Sequence, residues 1–206
     1  MPRNRLAALA AAAIVLAGCG KDALAPATGD RLAADEAQAL ALSLAASGDA
    51  YTDAAPSASV VTLGPMSTGT TFGPITFKQS HPCPKGGSIT PDITLQGSID
   101  LAARSVSMEL KGTETPKDCA FLVKANTITV NGDPDLAIAA HVAIANGVPS
   151  DPMTFSQEGG LSWSSSDGRS GTCSIKVSST IDFAKNLRTV SGHFCDQTLD
   201  ISGPLH

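Results

Sequence analysis

The chain has 206 residues, with 14 Lys and Arg against 19 Asp and Glu and a formal net charge of −5. An acidic chain without a basic run is a poor partner for nucleic acid and is not built for electrostatic docking on anionic lipid. Six Phe, one Trp and one Tyr leave few platforms for stacking bases or sugars, and the length suits one domain with its own core.

The first residues carry the clearest signal. Arg3 and Arg5 make a positive start, and Leu6 to Leu16 is an uninterrupted apolar run rich in Ala and Leu. That run is far shorter than the ~20 residues a bilayer-spanning helix needs. Ala17 and Gly18 then precede Cys19. The pattern is that of a secretory signal over residues 1–18 rather than a membrane helix. Leu16-Ala17-Gly18-Cys19 resembles the lipobox of bacterial lipoproteins. The resemblance covers residues 1–19 and implies cleavage before Cys19, lipidation of Cys19 and a membrane as partner through that anchor. In the family an Asp after the cysteine commonly holds the protein in the inner membrane. Gly20 stands there instead, which implies the outer membrane, facing the periplasm. A buried methylene contributes about 0.8 kcal/mol, so one acyl chain binds marginally and several bind firmly.

Residues 19–29, small and with one proline, read as lipidated cysteine and flexible spacer. Residues 30–47 read as a helix capped by Asp30, with Asp35 and Glu36 near its positive end. Ala33, Ala37, Leu40 and Leu44 form one stripe, widened by Leu32 and Leu42, that must pack on the sheet to follow. Residues 48–58 read as a linker, and 59–206 as a single disulfide-containing β domain.

In that domain the period changes to two, and Gly, Pro, Asn and Asp punctuate at short intervals. About eight strands are expected, at 70–80, 88–99, 104–112, 119–131, 135–146, 152–164, 169–181 and 187–201, with a short extra one at Val60 to Leu63. Asn131-Gly132, Asn146-Gly147 and Asp167-Gly168 are turn signals. Short connections imply antiparallel neighbours, hence a mainly β fold: an up-and-down meander, strongly curled or barrel-like, with one N-terminal helix. Segment 135–146 has a large apolar face (Leu136, Ile138, Val142, Ile144) and a face of alanines around His141. A weak echo relates Ile99-Asp100-Leu101-Ala102 to Ile181-Asp182-Phe183-Ala184, as if one hairpin were used twice.

Besides Cys19 there are Cys83, Cys119, Cys173 and Cys195, an even number that in an exported chain implies two disulfides. Each pair of neighbours in sequence lies symmetrically about one Ile-Asp-x-Ala turn. That symmetry predicts Cys83–Cys119 and Cys173–Cys195, each across its own hairpin.

Chemistry-bearing patterns are sparse. No two of His81, His141, His193 and His206 have metal-binding spacing, so no metal and no cofactor is expected. His81 and His193 lie close in sequence to cysteines and converge only if both disulfides share one end of the sheet, which makes them a weak candidate site. Asp167 and Arg169 decorate a hairpin tip and are candidates for loop recognition. No nucleophile elbow and no acid–base pair is present, and the expectation is not an enzyme. The sequence therefore points to a lipid-anchored envelope lipoprotein acting as a non-catalytic binding or structural module toward an unknown envelope protein. The alternative is a carrier of a hydrophobic ligand in a barrel or half-barrel, since eight strands enclose about one small ligand.

Overall fold

The computed structural model describes residues 28–53, 69–150 and 152–204. The elements in chain order are β1 (Thr28–Gly29), α1 (Ala34–Asp53), β2 (Thr70–Phe77), β3 (His81–Pro82), β4 (Ser88–Asp100), β5 (Ser105–Lys117) and β6 (Cys119–Val123). They continue with β7 (Asn126–Ala145), β8 (Val148–Pro149), β9 (Met153–Ser165), β10 (Ser170–Asp182), β11 (Leu187–Phe194) and β12 (Gln197–Pro204). All strands form one antiparallel sheet ordered β12-β11-β10-β9-β7-β5-β4-β2, with β1 on β10, β3 on β4, and β6 and β8 on β7. The fold is mainly β with one helix.

Twelve strands are present rather than about eight, and the sheet is not closed: β2 and β12 are its two ends. The strand count differs because local turn signals and actual turns do not coincide. The expected strand at 119–131 breaks at Lys124, where φ is 56°, and splits into β6 and β7. Asn131-Gly132 makes no turn. β7 runs on past it, with a register shift against β9 between Gly132 and Leu136 and a change of partner from β6 to β5 on the other edge. Thus β7 absorbs the segment expected as a separate strand at 135–146. The expected strand at 187–201 breaks at Cys195 and Asp196, both at positive φ. The short strand expected at Val60 to Leu63 lies outside the described residues.

The helix starts and ends later than the expected 30–47. Asp30 does not cap it; its carboxylate accepts the amide of Ser170. Instead the Glu36 carboxylate accepts the Ala33 amide at 3.0 Å, the acidic half of a capping box. The helix runs on through Ser47-Gly48 to Asp53, since one glycine costs only about 1 kcal/mol in a helix. Its buried stripe is Ala37, Leu40, Ala41 and Leu44, whereas Ala33 and Leu42 are exposed. Next to the helix, β1 lies against β10 only because Gly171 has no side chain: a Cβ there would stand 2.7 Å from the Asp30 carbonyl oxygen.

The register sorts the sheet into two faces. One carries Ser, Thr, Ala and charged residues, including Glu109, Lys111, His141, Thr154 and Lys176. The other is apolar on every long strand. Near α1 it is a closed core in which Phe121, Ile128, Val130, Leu136, Leu161, Ile175 and Phe194 are fully buried. Farther along the same strands, Leu95, Ile99, Val106, Met108, Leu110, Val142, Ile144, Met153 and Phe155 are only half-buried; they do not join that core, and neither do the buried Ile93 and Ile181 beside them. Glu114 and Gln157 sit on the apolar face between the two regions, both buried, and the Gln157 amide donates to the Glu114 carboxylate. Truncating Glu114 removes the acceptor of the buried Gln157 amide, which costs about 1–3 kcal/mol. Glu114→Ala is therefore expected to lower the midpoint of urea unfolding clearly, and Glu114→Gln to lower it less. Equal midpoints for Glu114→Ala and the parent chain would show that the pair is not coupled to folding.

Candidate functional site

The two expected disulfides are present, with Cα separations of 5.4 Å for Cys83–Cys119 and 4.7 Å for Cys173–Cys195. Neither follows strict hairpin symmetry. In the first hairpin Ser88 pairs with Lys117, and the turn from Cys83 to Gly87 absorbs the offset, tied by the Cys83 amide to the Gly87 carbonyl. In the second, Ile175 faces Phe194, and the positive-φ pair Cys195-Asp196 brings Cys195 back to Cys173. Both bridges belong to the core beside α1. Sharing that core does not unite His81 with His193. His81 is on β3 beside β4, His193 is exposed on β11, and β5, β7, β9 and β10 lie between those neighbours. No group of three or more His, Cys, Asp or Glu positioned to hold a metal occurs among the described residues. Cys19 lies outside the described residues.

Asp167 and Arg169, partly exposed at the hairpin tip, are paired with each other and with the helix start. The Arg169 guanidinium donates to both Glu36 carboxylate oxygens, at 2.7 and 2.9 Å. It also donates to Asp167 Oδ2, at 2.7 and 2.9 Å. The pair Lys124–Asp35 ties the first helical turn to the β6–β7 turn as well. The β9–β10 hairpin thus fastens the start of α1 at one pole of the sheet. Its carboxylates show the effect: Arg169 beside them lowers Glu36 below its ordinary value and takes Asp167 from 3.8 to about 2.

Two surfaces remain. On the polar face a shallow concavity of about 260 Å³ lies along the alanine strip of β7, lined by Glu109, Lys111, Ala139, His141, Thr154 and Ser156. Glu109 is held below its ordinary pKa by the Lys111 ammonium at 3.3 Å, so the charges there are already paired. The lining can donate and accept hydrogen bonds, and in it His141 and Thr154 face each other across β7 and β9. The second surface is the half-buried part of the apolar face, together with the loops that end it. Leu101, Val148 and Phe183 on those loops are 55%, 61% and 50% exposed. The buried Glu114 and Gln157 escaped the sequence reading, although Glu114 stands in phase with Met108 and Leu110 and so breaks an apolar period-two face.

No family model, no curated protein and no solved structure matches the chain.

Because Glu36 and Asp167 titrate lower in the folded chain than in the unfolded one, the unfolded chain takes up protons first as pH falls. The stability these groups contribute is complete above the ordinary carboxylate range and is lost between about pH 4.5 and 2. The melting temperature is expected to fall over that window. Arg169→Ala is expected to lower it by roughly 3–6 °C at pH 7 and to flatten the acid dependence. Parallel pH profiles for the variant and parent chains would contradict the latch.

Proposed function

We propose that the protein is a lipid-anchored lipoprotein of the bacterial cell envelope, carried on Cys19 at the outer membrane and facing the periplasm, and that it acts as a non-catalytic binding module. The observation that carries this reading is the polarity of the sheet. The chain enters at Thr28 and Gly29 on β10, beside the hairpin that fastens α1. The exposed apolar loops lie at the opposite ends of the strands. A tether on Cys19, joined by residues 20–27 to the entry pole, leaves the apolar pole free to meet a partner.

The half-buried apolar region favours a second reading, a carrier of a hydrophobic ligand. There the open sheet would curl so that Leu110, Val142, Met153 and Phe155 line a trough. The closed core under α1 weighs against it, since the helix takes up part of the same face.

Cys19→Ala is expected to move the protein from the membrane to the soluble fraction of cell envelopes. Unchanged membrane fractionation would refute the anchor. Native mass spectrometry of protein extracted mildly from its membranes separates the two readings. The chain without a non-covalent apolar mass supports the binding module, and a releasable apolar mass makes the carrier the better account.

A further inference from the structure

The two end strands of the open sheet are built differently. On β2 the register against β4 shifts between Phe72 and Ile75, and Pro74 within the shift has no amide to donate. A bulge and a proline blunt a sheet edge against further pairing. On β12 neither occurs within the strand. Its ladder with β11 keeps one register from Gln197 to Pro204, and the proline stands only at the last position. Among the described residues no strand lies against the outer side of β12.

The β11–β12 turn fixes which backbone groups face outward. Cys195 and Asp196 have φ 49° and 65°, a two-residue turn whose flanking pair, Phe194 and Gln197, is hydrogen-bonded. Bonded and non-bonded pairs then alternate along an antiparallel ladder. Gln197, Leu199, Ile201 and Gly203 therefore bond to β11. The amides and carbonyls of Thr198, Asp200 and Ser202, all three exposed, point away from the sheet, together with the Pro204 carbonyl.

We propose that β12 pairs antiparallel with β12 of a second copy, about a two-fold axis at Ile201. The strand is self-complementary in that register. Outward groups must oppose outward groups, and the registers centred on Asp200 and on Ile201 then overlap most of the strand. Centring on Asp200 sets that carboxylate directly opposite its own copy, which is destabilising. Centring on Ile201 sets Asp200 opposite Ser202, whose hydroxyl can donate to it. Leu199 then lies opposite Gly203, where even an added Cβ would meet nothing within 4 Å. Ile201, half-buried against the margin of the core, meets its own copy in a non-hydrogen-bonded pair, where side chains approach most closely. Asp200, the single charge on β12, thus selects the register. Pairing of β12 with β2 of another copy would be head to tail and would propagate, and the bulge on β2 opposes it; the two-fold pair closes after two chains. The inference goes beyond the anchored binding module and does not depend on the anchor.

The test uses the full chain in detergent micelles. The parent chain is expected to sediment as a concentration-dependent mixture of monomer and dimer. Ser202→Pro removes an outward amide and none that β11 uses. It is expected to weaken the dimer at least tenfold, with the melting temperature of the dilute monomer unchanged. Asp200→Cys, Ile201→Cys and Ser202→Cys, each oxidised separately and read by non-reducing peptide mapping, report the register. The two Ile201 Cα atoms would face each other at about 4.5 Å, within disulfide reach, whereas the two Asp200 Cα atoms would stand roughly 8 Å apart. Ile201→Cys is therefore expected to link to its own copy at least tenfold more than either neighbour. A parent chain that stays monomeric over its whole soluble range overturns the proposal. Equal dimerisation of the parent and a folded Ser202→Pro chain overturns it too, as do equal linking yields at all three positions.

Discussion

A helix of 20 residues covers about 30 by 10 Å, whereas a sheet with eight strands side by side and ladders of 13 residues offers an apolar face of roughly 34 by 43 Å. One helix cannot close such a face. Where α1 lies, reinforced by the β6–β7 hairpin and both disulfides, the apolar face becomes a core with Phe121, Ile128 and Leu161 fully buried. Beyond the buried Glu114 and Gln157 the same face continues without joining that core. The mismatch of areas makes one end of the molecule a stable anchor and the other a surface.

The electrostatics serve the same division. Around α1, Arg169 binds Glu36 and Asp167 at once, and these groups are fully satisfied by one another. A charged cluster on a hairpin tip is therefore no evidence of recognition until its internal partners are known. At the other pole, Asp100 accepts the amides of Ala102 and Ala103, and Asp182 accepts both the amide and the ammonium of Lys185. The repeated Ile-Asp-x-Ala segment thus has a physical reason: each copy is a turn that caps itself and presents one apolar residue.

The sequence was legible where the determinants are local. Period-two patterning marks the β domain, Asn146-Gly147 and Asp167-Gly168 turn where expected, and near-symmetry about two hairpins pairs the cysteines. It was misleading where a tertiary partner overrides a local signal. Asn131-Gly132 has turn chemistry, yet the Asn131 side chain accepts the Asp118 amide and its strand runs on along β9. Lys124 turns without a turn residue's identity, because β6 must fold back on β7 to bury Phe121 against Ile128. Arg169 could be assigned to Glu36 only once the helix was known to start beside the hairpin, 133 residues away in sequence.

The central claim is that, among the described residues, one apolar face is divided into a helix-covered core and a half-buried remainder. Carbene footprinting of the full chain, read residue by residue in a mass spectrometer, measures this directly. The account predicts labelling at Met108, Leu110, Met153 and Phe155 together with Leu101 and Phe183, and none at Leu40, Phe121, Ile128 or Leu161. Protection of Met108 and Met153 equal to that of Phe121 would contradict it, because the whole apolar face would then be closed.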